Sequence, residues 1–128
     1  MIKVSVGLIE QDDRILVAKR HQHQHQGGLW EFPGGKVEPD EEPLDALKRE
    51  LKEEVALNVL AAEPLFNIEH EYTDKSVQLI IFKVVSFEGI ARHCEGQEIQ
   101  WLPITELSTI EVPQANQRIV DYILQQRK

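Results

Sequence analysis

A chain of 128 residues with 41% apolar residues can bury one core, is too apolar to be disordered, and has no apolar run near the roughly 20 residues of a membrane span. Its formal net charge of −8 argues against a general nucleic-acid binder, which would show a basic face. That charge still suits an anionic small substrate held through metal ions. The one cysteine, Cys94, has no intrachain partner, and the opening MIKVSVGLIE lacks the cleavage region of a signal peptide. The expectation is a cytoplasmic protein with a single domain over 1–128, acting alone or as a homodimer, without nucleic-acid or membrane partners.

Residues 2–9 and 14–20 read as strands around a turn at Gln11-Asp12-Asp13. Residues 21–28, HQHQHQGG, read as a polar loop, and His21, His23 and His25 as solvated rather than as a specific metal cluster. Residues 30–32 look extended. Trp30 suits the core, and Phe32, beside the glycines, suits a pocket. Pro33-Gly34-Gly35 reads as a sharp turn, since adjacent glycines permit positive φ and close backbone approach. Residues 43–55 carry apolar side chains at helical spacing: Leu44, Leu47, Leu51 and Val55. Residues 65–72 and 77–87 read as strands joined across Thr73-Asp74-Lys75-Ser76, and 99–102 as a short strand. Residues 113–126 read as a helix with Ile119, Val120, Ile123 and Leu124 as its buried stripe. Strands mixed with two separated helices suggest an α/β fold, a sheet covered by helices on both faces.

The first helix puts like charges together. Glu50 lies three and four positions before Glu53 and Glu54, and such pairs repel by roughly 0.2–0.5 kcal/mol each in an isolated helix. At about 100° per residue the three carboxylates fall beside the leucine stripe, with Lys48 and Lys52 on the outer face. Converging, under-neutralised carboxylates suit a hard divalent cation, and Mg²⁺ prefers oxygen ligands together with substrate phosphates. A solvated helix laced by Asp45–Arg49 and Arg49–Glu53 pairs would explain Arg49, but not three glutamates on one edge.

The stretch 35–57, GKVEPDEEPLDALKRELKEEVAL, resembles the Nudix box: Gly35, Glu41, Arg49, Glu50, Leu51, Glu53, Glu54 and Leu57 all match, while Ala56 stands where the family has glycine. The resemblance implies a Nudix-type α/β/α sandwich with a mixed β-sheet and a Mg²⁺ cofactor replaceable by Mn²⁺. It implies metal ligands at the Gly35 carbonyl and at Glu50, Glu53, Glu54 and Glu95, with Glu50 or Glu95 as base for the attacking water. Glu41 would brace the loop and helix, and Arg49 would orient Glu53.

Beyond the box the chain resembles the MutT branch of that family more loosely. WEFPGGKVE at 30–38, Glu95-Gly96-Gln97 followed by Trp101, and Pro113-Gln114-Ala115-Asn116 carry that likeness. It implies hydrolysis of a nucleoside triphosphate to monophosphate and pyrophosphate, with 8-oxo-dGTP as substrate and Arg20, Phe32, Asp74, Lys75 and Asn116 around it. Lys75 replaces an arginine, and a lysine cannot reproduce a bidentate fork. GLWEFPGGKVEPDE also resembles pyrimidine nucleotide pyrophosphatases, and a silent nucleotide-binding module is a third reading.

Asn116 also has a case of its own. It shares a helical face with Ile119, Val120 and Ile123, and a buried carboxamide needs partners. 8-Oxoguanine offers an N7–H donor beside the O6 acceptor, whereas guanine has a bare N7. The other reading of Asn116 is a helix cap.

Overall fold

The computed structural model describes residues 1–20 and 28–127. Strands β1 (Ile2–Leu8), β2 (Glu10–Gln11), β3 (Arg14–Lys19), β4 (Trp30–Glu31) and β5 (Gly34–Lys36) precede helix α1 (Pro43–Val55). Strands β6 (Asn58–Glu71), β7 (Ser76–Glu88) and β8 (Ile99–Pro103) follow, and helix α2 (Gln117–Gln125) comes last. One sheet has the order β5-β1-β7-β6 and is mixed, because β1 runs parallel to β7 and antiparallel to β5. In the other, β2, β3 and β4 are neighbours and β8 pairs with β3.

The two opening strands therefore do not pair with each other. The tight hairpin lies between β2 and β3, where Asp12 and Asp13 both take positive φ, 54° and 61°. Two successive left-handed residues give the turn that matches strand twist. The chain changes sheets at Ile9, whose carbonyl accepts from Leu16 N–H at 3.0 Å.

Alternation along the mixed sheet builds its two faces. Val6 and Leu8 of β1 join Val77, Leu79 and Ile81 of β7 in one cluster, closed by Ile119, Val120 and Ile123 of α2. Ile9, Phe82 and Val84 face the other way and meet Leu47, Leu51 and Val55 of α1. Each of these buried helix side chains contributes roughly 1.5–3 kcal/mol. The expected α/β/α sandwich is what the chain forms. Among the described residues no helix is long and apolar enough to cross a membrane.

Three expected boundaries move. β6 begins at Asn58 rather than 65, because register shifts between Val59 and Phe66 break the alternation that would have marked it. The turn of helix before α2 is a 3₁₀ segment, Gln114–Asn116. Gly34 and Gly35 are not a turn but strand β5.

Candidate active site

β5 explains its glycines by proximity. Neither Gly34 nor Gly35 has positive φ. A Cβ at Gly34 would stand 2.0 Å from Ser5 O, and one at Gly35 would stand 2.2 Å from Glu50 Cδ. The first glycine lets β5 lie on β1; the second leaves room for the Glu50 carboxyl group. Ser5 Oγ, fully buried, donates to Pro43 O at 2.7 Å and ties β1 to the start of α1.

Arg49 sits among the acids of the box. Its Nε and Nη2 donate to Glu41 at 2.8 and 2.9 Å, its Nη1 to Glu50 Oε1 at 2.8 Å, and its Nη2 to Lys36 O at 3.0 Å. Glu53 is a looser partner at 3.6 Å. Hydrogen bonds from Arg49 and from Glu38 N–H hold the Glu41 carboxyl down at about 2. Glu41 thus clamps the 36–41 loop to the helix. Glu50 goes the other way: burial raises its pKa against the pull of Arg49, and the charges of Glu53 and Glu95 add to the rise.

The three carboxylates, expected to converge under-neutralised on one edge of α1, are treated differently by the fold. Arg49 neutralises Glu50 and, at longer range, Glu53, which is exposed. Glu54 is set apart and buried, 7% exposed. Its Oε1 is buried without a hydrogen-bond partner. Burial raises its pKa to about 8, helped by the charges of Glu31, Glu95 and Glu50; a hydrogen bond from Gly34 N–H pulls the other way.

Glu54 lines a cavity of ≈ 290 Å³ with Arg20, Glu31, Phe32, Gly34, Gly35, Lys75, Glu95, Gln97 and Asn116. Val4, Val6 and Leu79 of the mixed sheet supply apolar wall. Arg20 pairs with Glu31 at 2.6 Å, yet burial outweighs the arginine and raises the Glu31 pKa. Glu95 arrives through backbone geometry. Arg92 N–H donates to Val55 O and Cys94 N–H to Glu54 O, both at 3.0 Å, which satisfies carbonyls at the end of α1 and docks the 92–97 loop there.

Asn116 is 8% exposed, lines the cavity, and makes no side-chain cap to α2 although it stands at the N-cap position. Of the other expected site residues, Arg20, Phe32, Gly35, Lys75 and Glu95 share the cavity wall. Asp74 is exposed in the β6–β7 turn and outside that wall; half-buried Glu50 and exposed Glu53 also lie outside it. His21, His23 and His25 lie outside the described residues. Trp30 packs against the core and under Lys19 Nζ, 5.8 Å from the ring centroid.

Among the polar residues of the cavity wall, Glu31, Lys36, Tyr72 and Gln97 were not expected as site residues. Glu31 left a signal, an acid inside the apolar run Leu29-Trp30-Glu31-Phe32. Gln97 lies in an aperiodic loop, and its signal was its place in the stretch Glu95-Gly96-Gln97 that carries the family likeness, which gave it no role of its own.

Among the described residues, no three His, Cys, Asp or Glu side chains lie close enough together to hold an ion as they stand. The donor set nonetheless fits a hard divalent cation. It is all oxygen, Glu54 couples to Glu50 and Glu95, and the buried Glu54 Oε1 lacks a partner.

A family model for the NUDIX domain matches residues 5–122. The CTP pyrophosphohydrolase of Escherichia coli K12 is 40% identical over 101 residues, covering 79% of this chain and 75% of that protein. The 8-oxo-dGTP diphosphatase of the same strain is 31% identical over 120 residues, 93% of each chain. A structure from a study of MutT from Aliivibrio salmonicida and Vibrio cholerae superimposes with a TM-score of 0.85 at 31% identity, covering 98% of both chains. The solution structure of the E. coli ORF135 protein gives 0.86 at 34% identity, covering 99% of this chain and 91% of that one. With the box, the sandwich and the cavity in place, the chain belongs to the Nudix family and is a MutT-like Nudix hydrolase acting on nucleotides.

Proposed function

We propose that this hydrolase cleaves a nucleoside triphosphate to its monophosphate and pyrophosphate, with 8-oxo-dGTP preferred. The observation that carries the base choice is Asn116: buried, in the cavity wall, and unused as a cap. Its oxygen would accept from N7–H of 8-oxoguanine while its NH₂ donates to O6. Guanine would set N7 against the oxygen lone pairs. A dry site can turn such a mismatch into a preference of up to ~10⁴–10⁵. Phe32 offers an apolar surface for the base, and Lys75 a point charge for an anion.

Glu50, Glu53, Glu54, Glu95 and the Gly35 carbonyl would hold Mg²⁺, or Mn²⁺ in its place. A bound divalent ion clamps phosphate oxygens and offsets the charge that develops during phosphoryl transfer. Water attacks the β-phosphorus, the bond to the α-phosphate oxygen breaks, and Glu50 or Glu95 takes the water's proton. Arg49 keeps Glu50 in place, and Glu41 keeps Arg49 in place.

A pyrimidine triphosphate is the second reading, favoured by the 40% identity to a CTP pyrophosphohydrolase. Pyrophosphate release from 8-oxo-dGTP, dGTP, CTP and dCTP, compared as kcat/KM with Mg²⁺, separates the two. 8-Oxo-dGTP should lead. CTP in first place would overturn the base assignment, and no release from any nucleotide would overturn the reaction.

A further inference from the structure

We propose that Gln97 is a positioning residue of the metal site, its carboxamide oxygen accepting a hydrogen bond from the water shell of the divalent cation that Glu54 holds. This rests on the metal reading above.

Gln97 Oε1 and Glu54 Oε1 are the two buried side-chain acceptors without a hydrogen-bond partner among the described residues. Their residues are 8% and 7% exposed and line one cavity. A buried polar atom left unpaired is costly, so each such atom in a folded chain points to a missing partner. With Glu54 ionised, as a metal ligand must be, both atoms are acceptors. A ligand that satisfies both must present donors in more than one direction, next to three carboxyl groups. A hydrated divalent cation does that: its charge meets Glu54, and its waters offer only donors outward.

Backbone geometry, not the Gln97 side chain, sets where this residue stands. Cys94 N–H is fixed to Glu54 O at 3.0 Å on one side, and Lys19 N–H to Glu98 O at 2.8 Å on the other. Between them Gly96 turns the chain at φ +80°. The side chain is thus carried into the cavity without a protein partner for its oxygen. An amide also suits the place electrostatically. Glu31, Glu54 and Glu95 already crowd their negative charge there, and an amide oxygen accepts without adding a fourth.

The test is Mn²⁺ binding to the substrate-free protein, read by electron paramagnetic resonance of free Mn²⁺. Wild type, Glu54→Gln, Gln97→Met and Gln97→Glu are compared, with melting temperatures as a check on folding. Gln97→Met keeps length and shape but removes the acceptor, and should weaken Mn²⁺ binding about 10-fold. Its kcat/KM ratio between two nucleotides should not change. Gln97→Glu keeps an acceptor oxygen and should bind Mn²⁺ at least as tightly as wild type. Should Gln97→Met misfold, weaker binding by Gln97→Glu would by itself overturn the proposal. Weaker binding by Glu54→Gln with unchanged binding by Gln97→Met would also overturn it, and leave the metal site standing. Unchanged binding by Glu54→Gln would instead bring down the metal reading beneath it. A changed nucleotide ratio with unchanged Mn²⁺ affinity would make Gln97 a substrate contact and overturn the positioning role.

Discussion

The carboxyl group of Glu50 occupies the space that a side chain at Gly35 would need, since a Cβ there would stand 2.2 Å from Glu50 Cδ. Strand β5 and helix α1 are held at that separation by Arg49, which bonds both Lys36 O and Glu50.

Gly35→Ala should therefore act on chemistry more than on stability. The methyl group meets the end of a flexible side chain, so Glu50 swings away while β5 stays paired. Turnover should fall at least ~10-fold, the scale of losing an oriented metal-site group, with overpacking costing about 1–3 kcal/mol at most. Gly34→Ala is the contrast, because its methyl meets the Ser5 carbonyl at 2.0 Å and must break β1–β5 pairing. Measuring kcat and melting temperature for both variants checks this. A Gly35→Ala enzyme with normal kcat would detach Glu50 from the reaction.

Ala56 carries the strain expected where the family has glycine. It ends α1 at φ 63°, ψ 27°, with its N–H on Lys52 O and Leu57 N–H on Leu51 O, both at 3.2 Å. A left-handed residue with a Cβ costs about 1–2 kcal/mol. Ala56→Gly should raise the melting temperature by about 3–5 °C, with kcat nearly unchanged. A large rise in kcat would mean that Ala56 distorts the loop docked on the end of α1.

What the sequence made legible follows the length scale of each signal. α1 was readable because Leu44, Leu47, Leu51 and Val55 repeat at one period over the whole element. The inward face of Asn116 came from the same arithmetic. The split of Glu54 from Glu50 and Glu53 was not readable. It depends on where Arg49 turns, and Arg49 is captured by Glu41, a residue from the preceding loop. Sheet assignment was hidden as well: β1 alternates in sequence while β3 is an unbroken apolar run of Ile15, Leu16, Val17 and Ala18, and neither pattern says which sheet its strand joins. Glu31 and Gln97 reach the cavity from a short strand and an aperiodic loop, through contacts distant in sequence.

Glu54 links metal binding to pH. Its folded pKa is about 8 against an ordinary 4.5, from burial first and then Glu31, Glu95 and Glu50. The folded protein thus holds a proton that the unfolded chain gives up. That stabilisation is complete below pH 4.5 and is lost as pH rises through about 8. Glu54→Gln cannot ionise. In chelator, its melting temperature relative to wild type should climb between pH 5 and pH 9. Adding Mg²⁺ at pH 9 should close the gap by stabilising the ionised wild type. Equal Mg²⁺ stabilisation of both proteins would remove Glu54 from the ligand set.

Asn116 should set base choice and leave catalysis in place. It is buried in the cavity wall, with Ile119, Val120 and Ile123 continuing its face into the core. Asn116→Ala removes the paired contacts to N7–H and O6 of 8-oxoguanine, so the preference for 8-oxo-dGTP over dGTP should collapse. Both nucleotides should still be hydrolysed slowly, because the acids of α1 and Glu95 remain. A capping asparagine would cost on the order of 1 kcal/mol when truncated. No cap bond is present, so melting should change by less than that cost implies. The decisive pair of measurements is the kcat/KM ratio for the two purine nucleotides and the melting temperature. An unchanged ratio in a less stable variant would return Asn116 to the helix and turn the substrate assignment toward CTP.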